Sequence, residues 1–199
     1  MDRISHLAPH ASRFVALGVF VVTFALYLQT MAPTLGGGHD SAEFQHVAYT
    51  LGIAHPTGYP LYLALGKIVT TFLPLGNIAY RMNLLSVLLG ALGATFVYLS
   101  AVLVTRHRIA ALSATAIFAT NVAVWRQAGT ASVSPLNLLL FAALMYTLLR
   151  WQQRRAGLMP VAFILGLGLA HHRSIILLAP AILILILLDD SNLIRRPRE

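Results

Sequence analysis

Asp40 and Glu43 stand three residues apart, directly after a run of glycines. On a helix this spacing places both side chains on one side, where partial burial can raise a carboxyl pKa until the group acts as a base near neutral pH. Glycines allow close backbone approach to a ligand, and amides at a helix N-terminus can hold a phosphate. The alternative is helix capping, since acids in a first turn contribute about 0.3–1 kcal/mol. The segment therefore predicts either a proton-abstracting site or a helix cap.

Metal binding is a second chemistry open to this segment. His39, Glu43 and His46 follow a His-x-x-x-Glu-x-x-His pattern, which can present three ligands on one side of a helix. The pattern differs from the His-Glu-x-x-His motif of zinc hydrolases. We therefore expect no bound metal or other cofactor, and retain a divalent metal as the minor alternative.

Two further polar positions occur beside or within apolar runs. His171, His172 and Arg173 interrupt the apolar stretch 158–188, where ionisable groups are costly and commonly functional. A capped turn with an arginine reaching the interface is the structural alternative. Arg81, just before another apolar run, is typical either of an anion-binding residue at a membrane boundary or of a plain interfacial anchor.

Membrane helices are the elements that must position these residues. The chain has 199 residues, of which 58% are hydrophobic, 10% are charged and none is cysteine. Soluble domains are usually about 45–50% apolar, so a soluble enzyme, a disordered chain and a disulfide scaffold are excluded. The net charge of +8 is distributed between apolar runs rather than gathered in one patch. That pattern excludes nucleic-acid binding and is typical of membrane loops.

Apolar runs long enough to cross about 30 Å of hydrocarbon recur along the chain. We expect an all-α polytopic transmembrane bundle of about six spans, with five as the alternative. The predicted spans are residues 14–32, 83–104, 109–125, 135–151, 158–170 and 174–188. Residues 33–82 form a long outer loop, with one short helix from Asp40 or Ser41 to about Leu51 and an apolar segment over residues 61–73.

The basic residues predict the orientation. Ten of the fourteen Lys and Arg residues fall on the side that both termini share, which is the cytoplasmic side by the positive-inside rule. The opposite side carries only two carboxylates, Asp40 and Glu43. We expect an integral protein of the bacterial inner membrane with its active site facing outward.

The motif around these carboxylates resembles that of a known membrane family. An Asp-x-x-Glu-Phe motif begins at Asp40, and a His-Pro-x-Gly-x-Pro-Leu-Tyr motif begins at His55. The likeness continues over Leu75–Ser86 and over Gly168–His172. Together they resemble the signature of a family catalogued as a domain of unknown function. Its eukaryotic members are protein O-mannosyltransferases, and the family is placed among the GT-C glycosyltransferases.

The resemblance implies a GT-C-like fold whose first outer loop carries the catalytic acid. It also implies a polyprenyl-phosphate sugar, mannose in the eukaryotic members, as donor to a protein or glycan hydroxyl. Asp40 would be the general base and Glu43 its partner. The residues that would bind donor or acceptor are His39, His55, Tyr59, Arg81, His171, His172 and Arg173.

Two other functions remain open. The same acids and histidines could act as relays in a transporter or lipid flippase, or the chain could be a non-catalytic assembly module. Family members are much longer, so we expect that a C-terminal part is missing or that a partner subunit supplies further spans.

Overall fold

The structure is a computed structural model that describes residues 9–36, 40–153 and 156–189. Over these residues the only regular elements are helices. A 3₁₀ helix, Arg173–Leu178, precedes the last α-helix. The α-helices are α1 (Pro9–Thr30), α2 (Ser41–Thr50), α3 (Pro60–Phe72), α4 (Ile78–Thr105), α5 (Arg108–Ala119), α6 (Val122–Ala128), α7 (Ser134–Gln152), α8 (Met159–His171) and α9 (Ala179–Asp189).

Three described helices are long and apolar enough to cross a membrane: Ser12–Thr30 within α1, all of α4, and α7. The pair α5 and α6 makes a fourth candidate if its two bent parts form one span. With 13 and 11 residues, α8 and α9 are shorter than a usual span of about 20. The all-helical prediction is confirmed and the apolar helices indicate an integral membrane protein, whereas the count of six spans stays a prediction.

The predicted span 109–125 is divided by a bend of 66° between α5 and α6. The hydroxyl of Tyr27 on α1 donates to the carbonyl of Ala119, 2.7 Å away, in the last turn of α5. Asn121 then caps a new helix, because its side chain accepts from the backbone N–H of Ala123 at 3.0 Å. The hydrogen bond to Ala119 thus lies where α5 ends, and the Asn121 cap lies where α6 begins. The apolar composition alone did not indicate this break.

The core lies between α4 and the helices packed around it. Leu85 and Leu89 of α4 belong to one buried cluster with Leu140 and Leu144 of α7. Both helices begin at the same end of the bundle, since the amide of Ala131, just before α7, donates to Asn83 near the start of α4 at 2.8 Å. We call this the site end of the bundle, because the predicted site residues meet there.

The described residues of the loop, 33–36 and 40–82, form a packed layer at the site end. Pro60 occupies the first turn of α3, where its missing N–H costs nothing. A Cβ atom at Gly66 of α3 would lie 2.7 Å from the Cβ of Ala48 on α2 and 2.8 Å from the Met82 side chain on α4. Only glycine therefore permits this approach of the three helices. The layer holds the predicted catalytic residues on the transmembrane core.

Candidate active site

Glu43 and His55 form a carboxylate–imidazole pair between α2 and the turn before α3. The ring Nδ1 of His55 lies 2.7 Å from Glu43 Oε2, and the backbone N–H of His55 donates to Oε1 at 2.7 Å. These two hydrogen bonds favour the ionised carboxylate and lower the pKa of Glu43 below its usual value. Both oxygens of Glu43 are thus engaged by one residue.

Aromatic rings connect this pair to the distant histidine segment. Tyr59 places its hydroxyl 3.3 Å from His55 Nε2 and packs edge-on against Phe44, with ring centroids 5.4 Å apart. Its other side stacks on His172, with centroids 5.6 Å apart and planes within 20°. The fold therefore brings residues of the outer-loop motif together with residues more than a hundred positions later in the chain.

His171 and His172 occupy different environments, as their neighbouring positions on a helix predict. His171 is 1% exposed and its Nε2 lies 3.1 Å from the carbonyl of Val133, while its buried Nδ1 has no hydrogen-bond partner. His172 caps the 3₁₀ helix, because its Nδ1 accepts from the backbone N–H of Ser174 at 3.1 Å. One ring is fixed inside the bundle and the other closes the turn beneath Tyr59.

Asp40 is exposed and lies beside the Glu43–His55 pair, and among the described contacts it has no hydrogen bond to either residue. It precedes α2 in the capping position, yet its side chain makes no capping hydrogen bond. Glu43 does lie in the first turn of α2, where the helix dipole favours an acid, so the structure keeps this part of the capping alternative. The Asp40 carboxylate instead lines a cavity of about 740 Å³ at the site end.

The hydrogen-bond partners of Arg81 are backbone carbonyls. Its guanidinium donates to the carbonyls of Thr70, Leu75 and Gly76 at 2.7, 3.0 and 3.2 Å. It thereby fixes the connection between α3 and α4, and its predicted role in substrate binding stays a prediction. Arg173 is exposed at the first position of the 3₁₀ helix. His39 lies outside the described residues.

The divalent-metal alternative involves a different set of ligands from the one that the sequence pattern gave. Asp40, Glu43 and His55 offer ligand atoms that all lie within 4.8 Å of one another. Two carboxylates and an imidazole suit a borderline ion such as Zn²⁺ or Mn²⁺. Both oxygens of Glu43 already accept hydrogen bonds from His55, so an ion would share these oxygens with His55. The same three groups equally serve proton transfer without a metal.

A buried amide network beneath the site was missed by the sequence analysis. Gln45 of α2 is 2% exposed and donates to the Oδ1 of Asn83 at 2.9 Å. Asn83 is fully buried and also donates to the carbonyls of Ala32 and Thr34, at 2.8 and 3.1 Å. The network joins the end of α1 to α2 and α4. An asparagine at the start of an apolar helix was the available signal, since such a buried side chain needs partners.

Comparison with known proteins identifies the family. The family described as "Protein O-mannosyl-transferase TMEM260 N-terminal domain" matches residues 40–195. The chain belongs to this family. The matched range begins at Asp40 and spans Glu43, His55, His171 and His172 of this chain.

Two named relatives are longer proteins. The chain is 32% identical over 168 residues to "Protein O-mannosyl-transferase TMEM260" of Mus musculus, covering 81% of this chain and 24% of the mouse protein. It is 26% identical over 178 residues to "Protein O-mannosyl-transferase tmem260" of Dictyostelium discoideum, covering 80% of this chain and 22% of that protein. The chain thus spans about a quarter of the length of these relatives. No solved structure matches it.

Proposed function

We propose that this TMEM260 N-terminal domain carries the catalytic base of a membrane mannosyltransferase. The donor would be a polyprenyl-phosphate mannose and the acceptor a protein hydroxyl. The observation that carries the proposal is Asp40, an exposed carboxylate without a capping bond, on the wall of a 740 Å³ cavity. That volume lies within the range of about 300–1,000 Å³ usual for small-molecule sites. The names of the two relatives supply the sugar and the type of acceptor.

The reaction requires one displacement and one proton transfer. The acceptor oxygen forms a bond to the anomeric carbon of mannose as the bond from that carbon to the donor phosphate breaks. The polyprenyl phosphate leaves with the electron pair, and the acceptor proton passes to the Asp40 carboxylate. No oxidant, reductant or further reactant is needed.

Glu43 and His55 lie next to Asp40 and would position the groups around it. Glu43 cannot easily accept the proton, because its two oxygens already accept hydrogen bonds from His55. We assign it the role of holding His55 and Tyr59 beside the cavity. Tyr59 is 7% exposed and stacked on His172, so it holds His55 in position through its hydroxyl.

The proposal includes a GT-C-like architecture with the catalytic loop on the outer side of a cell membrane. The packed 33–82 layer at one end of the transmembrane helices supports this arrangement, as does the excess of arginine at the other. The longer relatives indicate that the activity could require more chain than these 199 residues. If the chain alone is inactive, the assay should therefore be repeated with a partner subunit or with a longer C-terminal part.

The test is sugar transfer in proteoliposomes from radiolabelled polyprenyl-phosphate mannose to a serine- and threonine-containing peptide. Asp40→Asn should reduce transfer at least a hundredfold, since general-base catalysis contributes typically about 10²–10⁴-fold. Asp189→Asn, at the C-terminal end of α9, is the matched control and should retain activity. Equal transfer by the Asp40→Asn variant would refute the base assignment, and ion or lipid flux without glycosylated peptide would favour a transporter.

A further inference from the structure

The cavity beside Asp40 is built by four parts of the chain. It lies between the start of α2, the end of α1, the short helix α6 and the turn that leads into α7. Its walls are joined by hydrogen bonds: Trp125 Nε1 donates to Thr30 Oγ1 at 2.7 Å, and the amide of Ala32 donates to the carbonyl of Gly129 at 2.9 Å. The cavity is therefore a feature of the packed helices rather than a gap beside a loop.

Among the described lining residues only two are ionisable, Asp40 and Arg126. They form no ion pair with each other; the one described salt bridge joins Glu43 to His55. Arg126 lies in the last turn of α6, is exposed to the cavity, and has no hydrogen-bond partner among the residues that the structure describes. The cavity thus presents one free carboxylate and one free guanidinium.

Other groups of the cavity wall add hydrogen-bond donors. Gln127 accepts from Ser132 Oγ through its Oε1 at 2.6 Å, which orients its side chain and leaves the amide NH₂ as a donor. Val133 and Ser134 also line the cavity, where the 19-residue helix α7 begins. The positive end of that helix dipole favours an anion. Arg126, Gln127 and the start of α7 together give the cavity the chemistry of an anion site.

We propose that Arg126 binds the phosphate of the lipid-linked donor in this cavity, an inference that rests on the proposed function. Arginine can bind two phosphate oxygens at once and remains charged throughout. Arg81, the other candidate, already donates to three backbone carbonyls. Because Arg126 and Asp40 line the same cavity, the donor phosphate at Arg126 and the acceptor hydroxyl at Asp40 would share one site.

Charge development during transfer explains why a cation is needed at this position. The bound donor is a phosphodiester with one negative charge, and the departing polyprenyl phosphate is a monoester that gains a second. Arg126 therefore stabilises the leaving group more strongly as the bond breaks, which is the requirement for a contribution to catalysis. The Asp40 carboxylate in the same cavity repels the phosphate, and so favours binding of the phosphate at Arg126 rather than at Asp40.

Direct binding tests the site without requiring turnover. The purified full chain in detergent would be titrated with farnesyl phosphate as probe and with farnesol as the phosphate-free control. Loss of a charge-assisted hydrogen-bonded pair predicts that Arg126→Gln weakens farnesyl phosphate binding about 10- to 100-fold and leaves farnesol binding unchanged. Arg126→Lys should restore part of the affinity, because the charge is kept and the bidentate geometry lost.

Arg106→Gln is the matched control, since Arg106 is exposed at the opposite end of α4 and its loss removes the same charge. It should bind the probe like the unmodified chain. Unchanged farnesyl phosphate affinity in Arg126→Gln, with an unaltered melting temperature, would overturn the inference. So would equal competition by phosphatidylglycerol, which would show a general site for anionic lipids.

The two proposals fail in distinguishable ways. If the chain transfers mannose and Arg126→Gln transfers it at the same rate, the phosphate site is wrong and the proposed function stands. If farnesyl phosphate binds through Arg126 but no mannose is transferred, even with added C-terminal chain, the proposed function is wrong. If both hold, Arg126→Gln should lower kcat as well as raise KM for the donor.

Discussion

Asp40 and Glu43 are chemically similar carboxylates that the fold has made different. Glu43 binds His55 through both oxygens, and this fixes the imidazole so that Nδ1 faces the carboxylate and Nε2 faces the Tyr59 hydroxyl. Asp40 has no capping bond and borders the cavity. The sequence placed both on one side of a helix and could not separate a reacting group from a positioning group. Their partners make that distinction.

The Glu43–His55 pair gives a prediction on pH dependence. The pKa of Glu43 is lowered in the folded chain, so the pair stabilises the fold above the ordinary carboxyl pKa, about 4.3, and this stabilisation is lost as the pH falls through the lowered value. At pH 7 Glu43→Gln should lower the free energy of unfolding by about 1 kcal/mol, a modest amount because both groups are partly exposed. Thermal unfolding in detergent at pH 7 and at pH 3 measures this.

The difference between the unmodified chain and Glu43→Gln should shrink at pH 3, because Glu43 of the unfolded chain gains a proton below the ordinary carboxyl pKa and the stabilisation falls with pH from there. A difference that is the same at both pH values would show that the glutamate stabilises the fold by packing rather than by its charge. His46→Gln, on the exposed side of α2, is the control and should show no such dependence.

At the scale of elements, the short helices α2 and α3 decide where the site residues lie. The apolar segment predicted over residues 61–73 is the helix α3, and Pro60 lies in its first turn. Its packing on α2 and α4 depends on Gly66. A side chain at this position would overlap Ala48 of α2 and Met82 of α4, which both contact the helix there. Such a requirement is not visible in a local pattern.

Gly66→Ala should therefore separate α2 from α3. The added methyl group would overlap Ala48 and Met82, which should destabilise the fold by about 1–3 kcal/mol and reduce mannosyl transfer as the motif moves away from the cavity. Gly18→Ala in α1 is the matched control, since nothing lies within 4 Å of its added Cβ. Melting temperature and transfer rate are the measurements. A Gly66→Ala chain as stable as the Gly18→Ala chain would mean that the α2–α3 contact is looser than described.

At the scale of the whole molecule, α4 runs from one end of the bundle to the other. It has 28 residues and so extends about 42 Å at about 1.5 Å per residue, more than the roughly 30 Å of membrane hydrocarbon. The candidate site lies at its N-terminal end. The basic connection that begins at Arg106 lies at the other, where the side chain of Gln153 after α7 donates to the Leu103 carbonyl at 3.3 Å.

Sidedness can be tested directly, because the chain contains no cysteine. Single cysteines at Ile53, which is 94% exposed in the outer-loop motif, and at Arg106 should react with a membrane-impermeant maleimide from opposite sides of sealed vesicles. Ile53→Cys should be labelled in intact cells and Arg106→Cys only after the membrane is opened. Labelling of both from the same side would contradict the orientation and the role of α4 as a span.

The sequence by itself determined the helical membrane character, the long apolar helices and the segment that holds the candidate base. These follow from composition, run length and motif spacing, all of which are local. Only the tertiary structure decided that Tyr59 stacks on His172, that Arg81 is occupied by backbone carbonyls, and that Arg126 and Asp40 share a cavity. Those facts depend on how separate helices pack and bend, as at the break after Ala119. Contacts between residues distant in the chain arise from packing, which local apolar pattern does not specify.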